Sequence, residues 1–244
     1  MILPRPTLRY PRHRRHALAV LLLGIMVSGA AHTAPYRFAN EDYLTEASAF
    51  TGWAETLARY AEQREVLLDC ERVERGCKGR LRSFKRVLAK GAGLSREEQV
   101  QLVNFYINRT RYKDDRAERL YAEDGTRLGL KRNHWGTLYE FLTQRGDCED
   151  YAVAKYFMLR ELGFPADDMR VVVTWERREP GYHAVLALRM KNGEPKASDA
   201  VWILETDNTI RRKRHSGYRY IYAMNEHAVW DHRTEADLAR TQRR

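Results

Sequence analysis

One cysteine of this chain stands among acids, in Gly146-Asp147-Cys148-Glu149-Asp150. A thiol attacks a carbonyl only as thiolate. The free thiol has a pKa near ~8.5, so a nucleophilic Cys148 needs surroundings that lower it. Residues 148–162 read as a helix that opens after Gly146-Asp147 and stops at Gly163-Phe164-Pro165. Apolar residues from Tyr151 to Leu162 surround most of the cylinder, the pattern of a buried central helix. Cys148 then occupies a first turn, where unpaired N–H groups and the positive end of the macrodipole favour an anion. The same N–H groups can stabilise a tetrahedral oxyanion. A base is also required. His183 starts a predicted strand in Gly181-Tyr-His-Ala-Val-Leu-Ala-Leu, and Asp207, in Glu205-Thr-Asp-Asn208, ends the next one. Neighbouring ends of antiparallel strands lie side by side. Cysteine, histidine and an orienting carboxylate form a nucleophile–base–orienter set.

Each residue also has a plainer reading. A lone buried cysteine is usually a small hydrophobe. The chain has eight histidines, most of them expected at the surface, and Asp207-Asn208 alone reads as a turn. Asp147, Glu149 and Asp150 are acids of the kind a helix N-terminus attracts. These acids oppose a thiolate, because like charges raise a thiol pKa. Three carboxylates beside a nucleophilic sulfur therefore call for a neutralising cation. Hard oxygen ligands in a loop suit Ca2+, particularly outside the cytoplasm, although the spacing lacks the EF-hand pattern.

The elements that must position these residues follow from periodicity. Residues 45–68 space Phe50, Trp53, Leu57, Tyr60 and Ala61 by three or four, as a helix does. A second helix fits 78–91. A third starts at Ser95 with Glu98 three residues on, a capping-box pattern. Residues 110–133, rich in charge and glycine, read as a long surface loop, and Trp135 to Leu142 as a short helix. After Pro165 the period falls to two: Met169–Trp175, Tyr182–Met190, Val201–Leu204 and Tyr218–Met224 read as strands, with a turn at Asn192-Gly193. Helices first and a strand meander second predict an α+β fold, an antiparallel sheet packed on the central helix.

The ends bound the setting. Residues 1–34 read as a signal peptide. Arg5, Arg9, Arg12, Arg14 and Arg15 precede an apolar run, Ala17 to Val27, which is short for a membrane span. Small residues at Ala30 and Ala31 offer cleavage points; the competing reading is an uncleaved anchor. The segment carries five of the ten net positive charges. The mild excess left on the mature chain calls for neither nucleic acid nor anionic lipid, and no stable membrane insertion follows cleavage. The remaining length of about 210 residues suits one domain, expected over 35–230, with a charged tail over 231–244. Export permits disulfides. Cys70 and Cys77 are seven residues apart, about 10 Å on a continuous helix. A bridge needs Cα atoms within roughly 7 Å. The breakers Gly76 and Gly79 allow that approach, which leaves Cys148 as the odd thiol.

Trp135-x3-Tyr139-Glu140-Phe141-Leu142 followed by Arg145-Gly-Asp-Cys-Glu-Asp-Tyr-Ala-Val-Ala-Lys-Tyr-Phe-Met-Leu-Arg-Glu-Leu-Gly163 resembles the bacterial transglutaminase-like cysteine proteases of the LapG type. Val103-Asn104-x2-Ile-Asn108, Tyr112-x-Asp114-Asp115 and Tyr220-x-Tyr222-Ala-Met-Asn225-Glu226-x3-Trp230 fit as well. The resemblance spans roughly residues 95–230. It implies a papain-like, transglutaminase-like fold, a periplasmic location and a triad of Cys148, His183 and Asp207, with Glu205 and Asp199 as fallbacks for the third member. It also implies Ca2+ held by Asp147 and Glu149. Its best-known members cleave the N-terminal region of large surface adhesins after paired alanines and so control biofilm attachment. An inner-membrane cyclic di-GMP receptor sequesters them, so an adhesin and such a receptor are the implied partners. Three alternatives stay open on sequence: a transglutaminase, a cell-wall peptide amidase and a non-catalytic binding module. The stretch 116–133 and the residues between the His and Asp strands look expanded relative to the family.

Overall fold

The structure is a computed structural model. It describes residues 36, 38, 43–72, 77, 79–115, 118–121, 125–131, 133–176, 180–190, 200–212 and 217–233. The expected signal peptide, the Asn192-Gly193 turn, Asp199 and residues 234–244 lie outside the described residues.

After β1 (Tyr43–Glu46) and a 3-10 turn, α1 (Thr51–Leu68) begins later than the apolar spacing suggested. α2 (Leu81–Ala92) follows, joined to α1 by a Cys70–Cys77 disulfide whose Cα atoms are 4.9 Å apart. α3 (Arg96–Asn108) carries the expected capping box: Ser95 Oγ accepts from Glu98 N, and Glu98 Oε2 accepts from Ser95 N at 2.9 Å. The segment read as one long loop instead contains an antiparallel hairpin, β2 (Glu118–Tyr121) and β3 (Arg127–Lys131). Leu128 and Leu130 stand two apart in β3, a short alternation set among charged residues. α4 (Leu138–Gln144) and α5 (Cys148–Glu161) complete the helical half, and every residue of α5 from Glu149 to Leu159 is buried.

The strand half is one seven-stranded, wholly antiparallel sheet. β4 (Met169–Glu176), β5 (Gly181–Met190), β6 (Ala200–Leu204) and β7 (Ile210–Arg211) run as a meander. β8 (Tyr218–Met224) then departs from the expected topology, returning to the other side of β4. β9 (Ala228–Asp231) pairs with β8, and β1 closes that edge. Between β4 and β9, β8 is buried on both faces, Met224 in the helix-side cluster and Ala223 in the opposite one. The sheet also takes in Asp231, one residue past the expected domain end, and His232 N donates to Ile221 O at 2.8 Å.

Alternation along the strands divides the core. Val171, Ala184, Leu186, Leu188 and Leu204 pack with α5 and the other helices. Val172, Val185, Ala187 and Ile203 form a smaller cluster with Tyr36 and Trp230. The α+β expectation holds, with a buried central helix against an antiparallel sheet. No described helix is long and apolar enough to cross a membrane.

Candidate active site

The loop before α5 is built around one buried carboxyl group. Asp150 Oδ1 accepts from Gly136 N at 2.6 Å, and its Oδ2 accepts from Asp147 N at 3.2 Å. Asp150 thus ties the entry of α4 to the entry of α5. A Cβ on Gly146 would lie 1.9 Å from Asp150 Oδ2, which leaves no room for any side chain there. Burial is the main reason the Asp150 carboxyl is pushed up to about 7; the Gly136 N–H opposes it and Asp147 adds to it. Arg145, between α4 and this loop, has φ 73° and ψ −176°, a region that a non-glycine residue enters only at a cost of about 1–3 kcal/mol.

A second segment, 110–115, is brought in from the end of α3. Lys113 N donates to Gly146 O at 2.9 Å, and Tyr151 OH of α5 donates to Thr110 O. Arg80 secures its other end, donating to Thr110 Oγ1 and to Tyr106 O while its guanidinium lies 4.0 Å from the Tyr106 ring centre. Arg80 in turn follows the disulfide and is docked by its own N–H on Leu142 O at 3.0 Å.

Cys148 is the first residue of α5 and is half-buried; it is the free cysteine of the chain. Its Sγ donates to Glu149 Oε2 at 3.2 Å. Burial pushes the thiol well above its usual range, and the Glu149 carboxylate pushes it further. The Ala184 backbone N–H acts in the opposite direction, and Asp147 adds a smaller upward push. α5 packs on β5, and Cys148 lies against the apolar cluster that includes Ala184, the neighbour of His183.

His183 Nε2 lies 3.3 Å from Glu205 Oε2. Glu205 follows the last residue of β6 and is only 3% exposed. Its Oε1 accepts from Arg211 Nε at 2.6 Å and from Tyr218 OH at 2.8 Å. Burial alone would raise this carboxyl, but the bonds from His183 and Tyr218 and the Arg211 charge hold it below the usual range. Asp207, expected as the orienter, sits elsewhere. It is exposed, and its Oδ1 accepts from Thr209 N at 2.9 Å in a turn where Asn208 has φ 71°. β6 ends at Leu204, so the first carboxylate beyond the strand is Glu205 and Asp207 falls in the turn. The structure thus sets the fallback residue, not Asp207, against His183.

A different set of acids gathers beside Cys148. Asp115, Asp147 and Glu149 each present an oxygen, all within 4.8 Å of one another. Asp147 Oδ1 and Glu149 Oε1 are buried with no hydrogen-bond partner among the described residues. Burial, the hydrogen bond and charge of Glu149, and the charge of Asp115 push the Asp147 carboxyl up to about 8. Convergent, partly buried carboxylates with unpaired oxygens fit a hard cation such as Ca2+. Asp147 and Glu149 were expected in this role and Asp115 was not. Its signal lay in Tyr112-x-Asp114-Asp115, but nothing in the sequence showed that Lys113 would bond Gly146 and carry Asp115 to the loop.

Comparisons with known proteins bear on the family and the fold. The family described as bacterial transglutaminase-like cysteine proteinase matches residues 68–236. Among solved structures, the calcium-bound LapG of Legionella pneumophila is similar at 22% identity and a TM-score of 0.51, covering 67% of this chain and 88% of that one. An EGTA-treated structure of the same protein is similar at 23% identity and a TM-score of 0.51, covering 64% and 77%. These likenesses show the fold. The chain has no significant match among curated proteins. With the family spanning more than half of its length, this chain belongs to the bacterial transglutaminase-like cysteine proteinases.

Proposed function

We propose that this cysteine protease is a periplasmic, calcium-dependent endopeptidase that cleaves the N-terminal region of a large surface adhesin. The observation that carries the reading is the meeting of Cys148, at the start of a buried helix, with the strand that bears His183 and its partner Glu205. Cys148 Sγ attacks the peptide carbonyl. His183 takes the thiol proton and later gives it to the leaving amine, while Glu205 accepts a hydrogen bond from Nε2 and orients the ring. The N–H groups of the first turn of α5 face the oxyanion. Water then releases the acyl-enzyme. Membership of a proteinase family favours water as acceptor over the amine of a transglutaminase and opposes a purely binding role.

Asp115, Asp147 and Glu149 would hold the cation. Bound there, Ca2+ supplies positive charge that offsets the carboxylates now raising the thiol. The calcium-bound and EGTA-treated forms of the Legionella protein support this reading. The adhesin substrate and the cyclic di-GMP receptor rest on the resemblance of the Gly-Asp-Cys-Glu-Asp-Tyr-Ala segment to that type of protease. The periplasmic location rests on the basic and apolar character of residues 1–34.

The test is incubation of an adhesin N-terminal fragment holding an Ala-Ala pair with wild-type protein and with Cys148→Ala, each in Ca2+ and in EGTA. Cleavage is expected only from wild type in Ca2+. Equal cutting by Cys148→Ala sinks the nucleophile, cutting in EGTA sinks the calcium requirement, and an intact fragment in Ca2+ sinks the substrate class. N-terminal sequencing of protein recovered from the periplasm should begin after Ala30 or Ala31; an uncut N-terminus would point to an anchor.

A further inference from the structure

Lys155 is a lysine in an unusual place. It lies two turns along α5 from Cys148, on the same side of the helix, and is fully buried. Burying an amine costs several kcal/mol unless it is bonded, and an apolar side chain would fill the same space. Its Nζ donates to the main-chain carbonyl of Glu205. That carbonyl also accepts from Asn108 Nδ2 of α3, at 2.8 Å. Nearby, Asn104 Nδ2 donates to Asn208 O at 2.9 Å, and Glu205 N donates to Thr209 O at 3.0 Å. The turn that follows β6 is therefore docked on two helices by side chains. One of those helices carries Cys148 at its other end.

We propose that Lys155, assisted by Asn108, is a positioning residue for the reaction: by holding the Glu205 main chain it fixes the carboxylate that orients His183 relative to the thiol of Cys148. The proposal rests on the Cys148–His183–Glu205 reading given above. A covalent and hydrogen-bonded path connects the parts: Cys148, the α5 backbone, Lys155, the Glu205 carbonyl, the Glu205 carboxylate and His183. The carboxylate is fixed at Oε1 by Arg211 and Tyr218, both from the strand half. Lys155 and Asn108 supply the hydrogen bonds that tie the Glu205 main chain itself to the helical half. A misplacement of about 1 Å at a reacting pair costs on the order of a hundredfold in rate, so a dedicated link has a clear use. Burial pushes the Lys155 amine down to about 7, against the upward pull of Glu205 and Asp207. Charged or neutral, it still donates an N–H to the carbonyl, so the hydrogen bond rather than the charge is the working part.

Lys155→Met in the full chain removes the donor and keeps the length and volume. Two readouts need no knowledge of the natural substrate: the rate at which iodoacetamide alkylates Cys148 in Ca2+, and thermal unfolding. The alkylation rate is expected to fall by about tenfold or more, while the melting temperature stays level or rises. On the adhesin fragment, kcat should fall with KM within about twofold, as for loss of an interaction that matters at the transition state. Alkylation of folded Lys155→Met at the wild-type rate overturns the proposal. If Lys155→Met does not fold, Asn108→Ala, which removes the other donor to the same carbonyl, decides: a slowed rate supports the clamp and a wild-type rate overturns it. His183→Ala separates the two layers. If that variant is alkylated as fast as wild type, the Cys–His reading falls and the clamp with it. If it is slowed and Lys155→Met is not, only the clamp falls.

Discussion

The candidate site has two groups of buried carboxylates, one beside His183 and one beside Cys148, and they differ in electrostatic state. Glu205 has Arg211 and Tyr218 on one oxygen and His183 on the other, and it is held below the usual carboxylate range. Asp147 and Glu149 each bury an oxygen without a hydrogen-bond partner among the described residues, and Asp147 is pushed upward. Burial is comparable, at 3% exposed for Glu205 against 9% and 6% for the pair, so burial does not decide the direction. Partners do. The Glu205 group is complete within the chain. The acid group beside the thiol has oxygens to spare and is shaped for a cation. The same residue type thus has its oxygens satisfied beside His183 and an oxygen unsatisfied beside Cys148.

The comparison is broken most severely by removing the completed carboxylate. Glu205→Ala leaves His183 without its orienter and Arg211 without its buried partner. Cleavage of the adhesin fragment should fall by about 10^2 to 10^4-fold, the scale seen when a base loses its orienting carboxylate. Full activity in Glu205→Ala would remove it from the triad. Glu149→Gln probes the other group. If Ca2+ binds only the folded protein, saturation at about 100 times Kd adds ~2.7 kcal/mol. At roughly 2–4 °C per kcal/mol for a chain of this size, the wild-type melting temperature should rise by about 5–10 °C over that in EGTA. Glu149→Gln should lose most of that rise. An equal rise in variant and wild type would place the ion elsewhere.

Acid sharpens the contrast further. A carboxyl held below its unfolded pKa contributes stability that is fully present above the unfolded value and is lost as pH falls through the folded one. Glu205 is in that position, so its contribution should disappear only in acid, below the ordinary glutamate range near 4.5. The melting temperature of wild type and of Glu205→Gln, followed from pH 6 to pH 3, should converge at the acid end. Curves that stay parallel would mean that the ionised carboxylate contributes nothing to folding.

How much of this site could be read beforehand differs between its two sides. Cys148 and His183 were legible because both lie at the start of an element, Cys148 first in α5 and His183 third in β5, and element starts are marked by local signals: Gly146-Asp147 before the helix and Pro180-Gly181 at the start of the strand. The Ser95–Glu98 cap was legible for the same reason. Glu205 against Asp207 was harder, because the choice turns on where β6 stops, and strand ends carry no comparable mark. Asp115 was hidden, since its approach depends on a backbone bond from Lys113 to Gly146 and on Arg80 holding the segment behind it. The return of β8 to β4 is likewise a matter of which strand can bury both faces, a property of the assembled sheet.

The smallest expected effect concerns the residue that sequence favoured. Asp207 is exposed, and its recorded bond closes a turn by accepting from Thr209 N, so the expectation for Asp207→Ala is a local one. Loss of one exposed turn bond should cost within about 0.5 kcal/mol, as surface substitutions away from special features do. Burial pushes its carboxyl up, but the Thr209 N–H and hydroxyl and the Arg211 charge together hold it below the usual range. Removing it should therefore leave Arg211 more fully committed to Glu205, and cleavage of the fragment should stay within about twofold of wild type. Asp207→Ala and Glu205→Ala assayed side by side decide which carboxylate orients His183. If Asp207→Ala is the inactive one, the turn after β6 must rearrange when substrate binds, and the contrast between a completed and an incomplete carboxylate group would have to be redrawn around it.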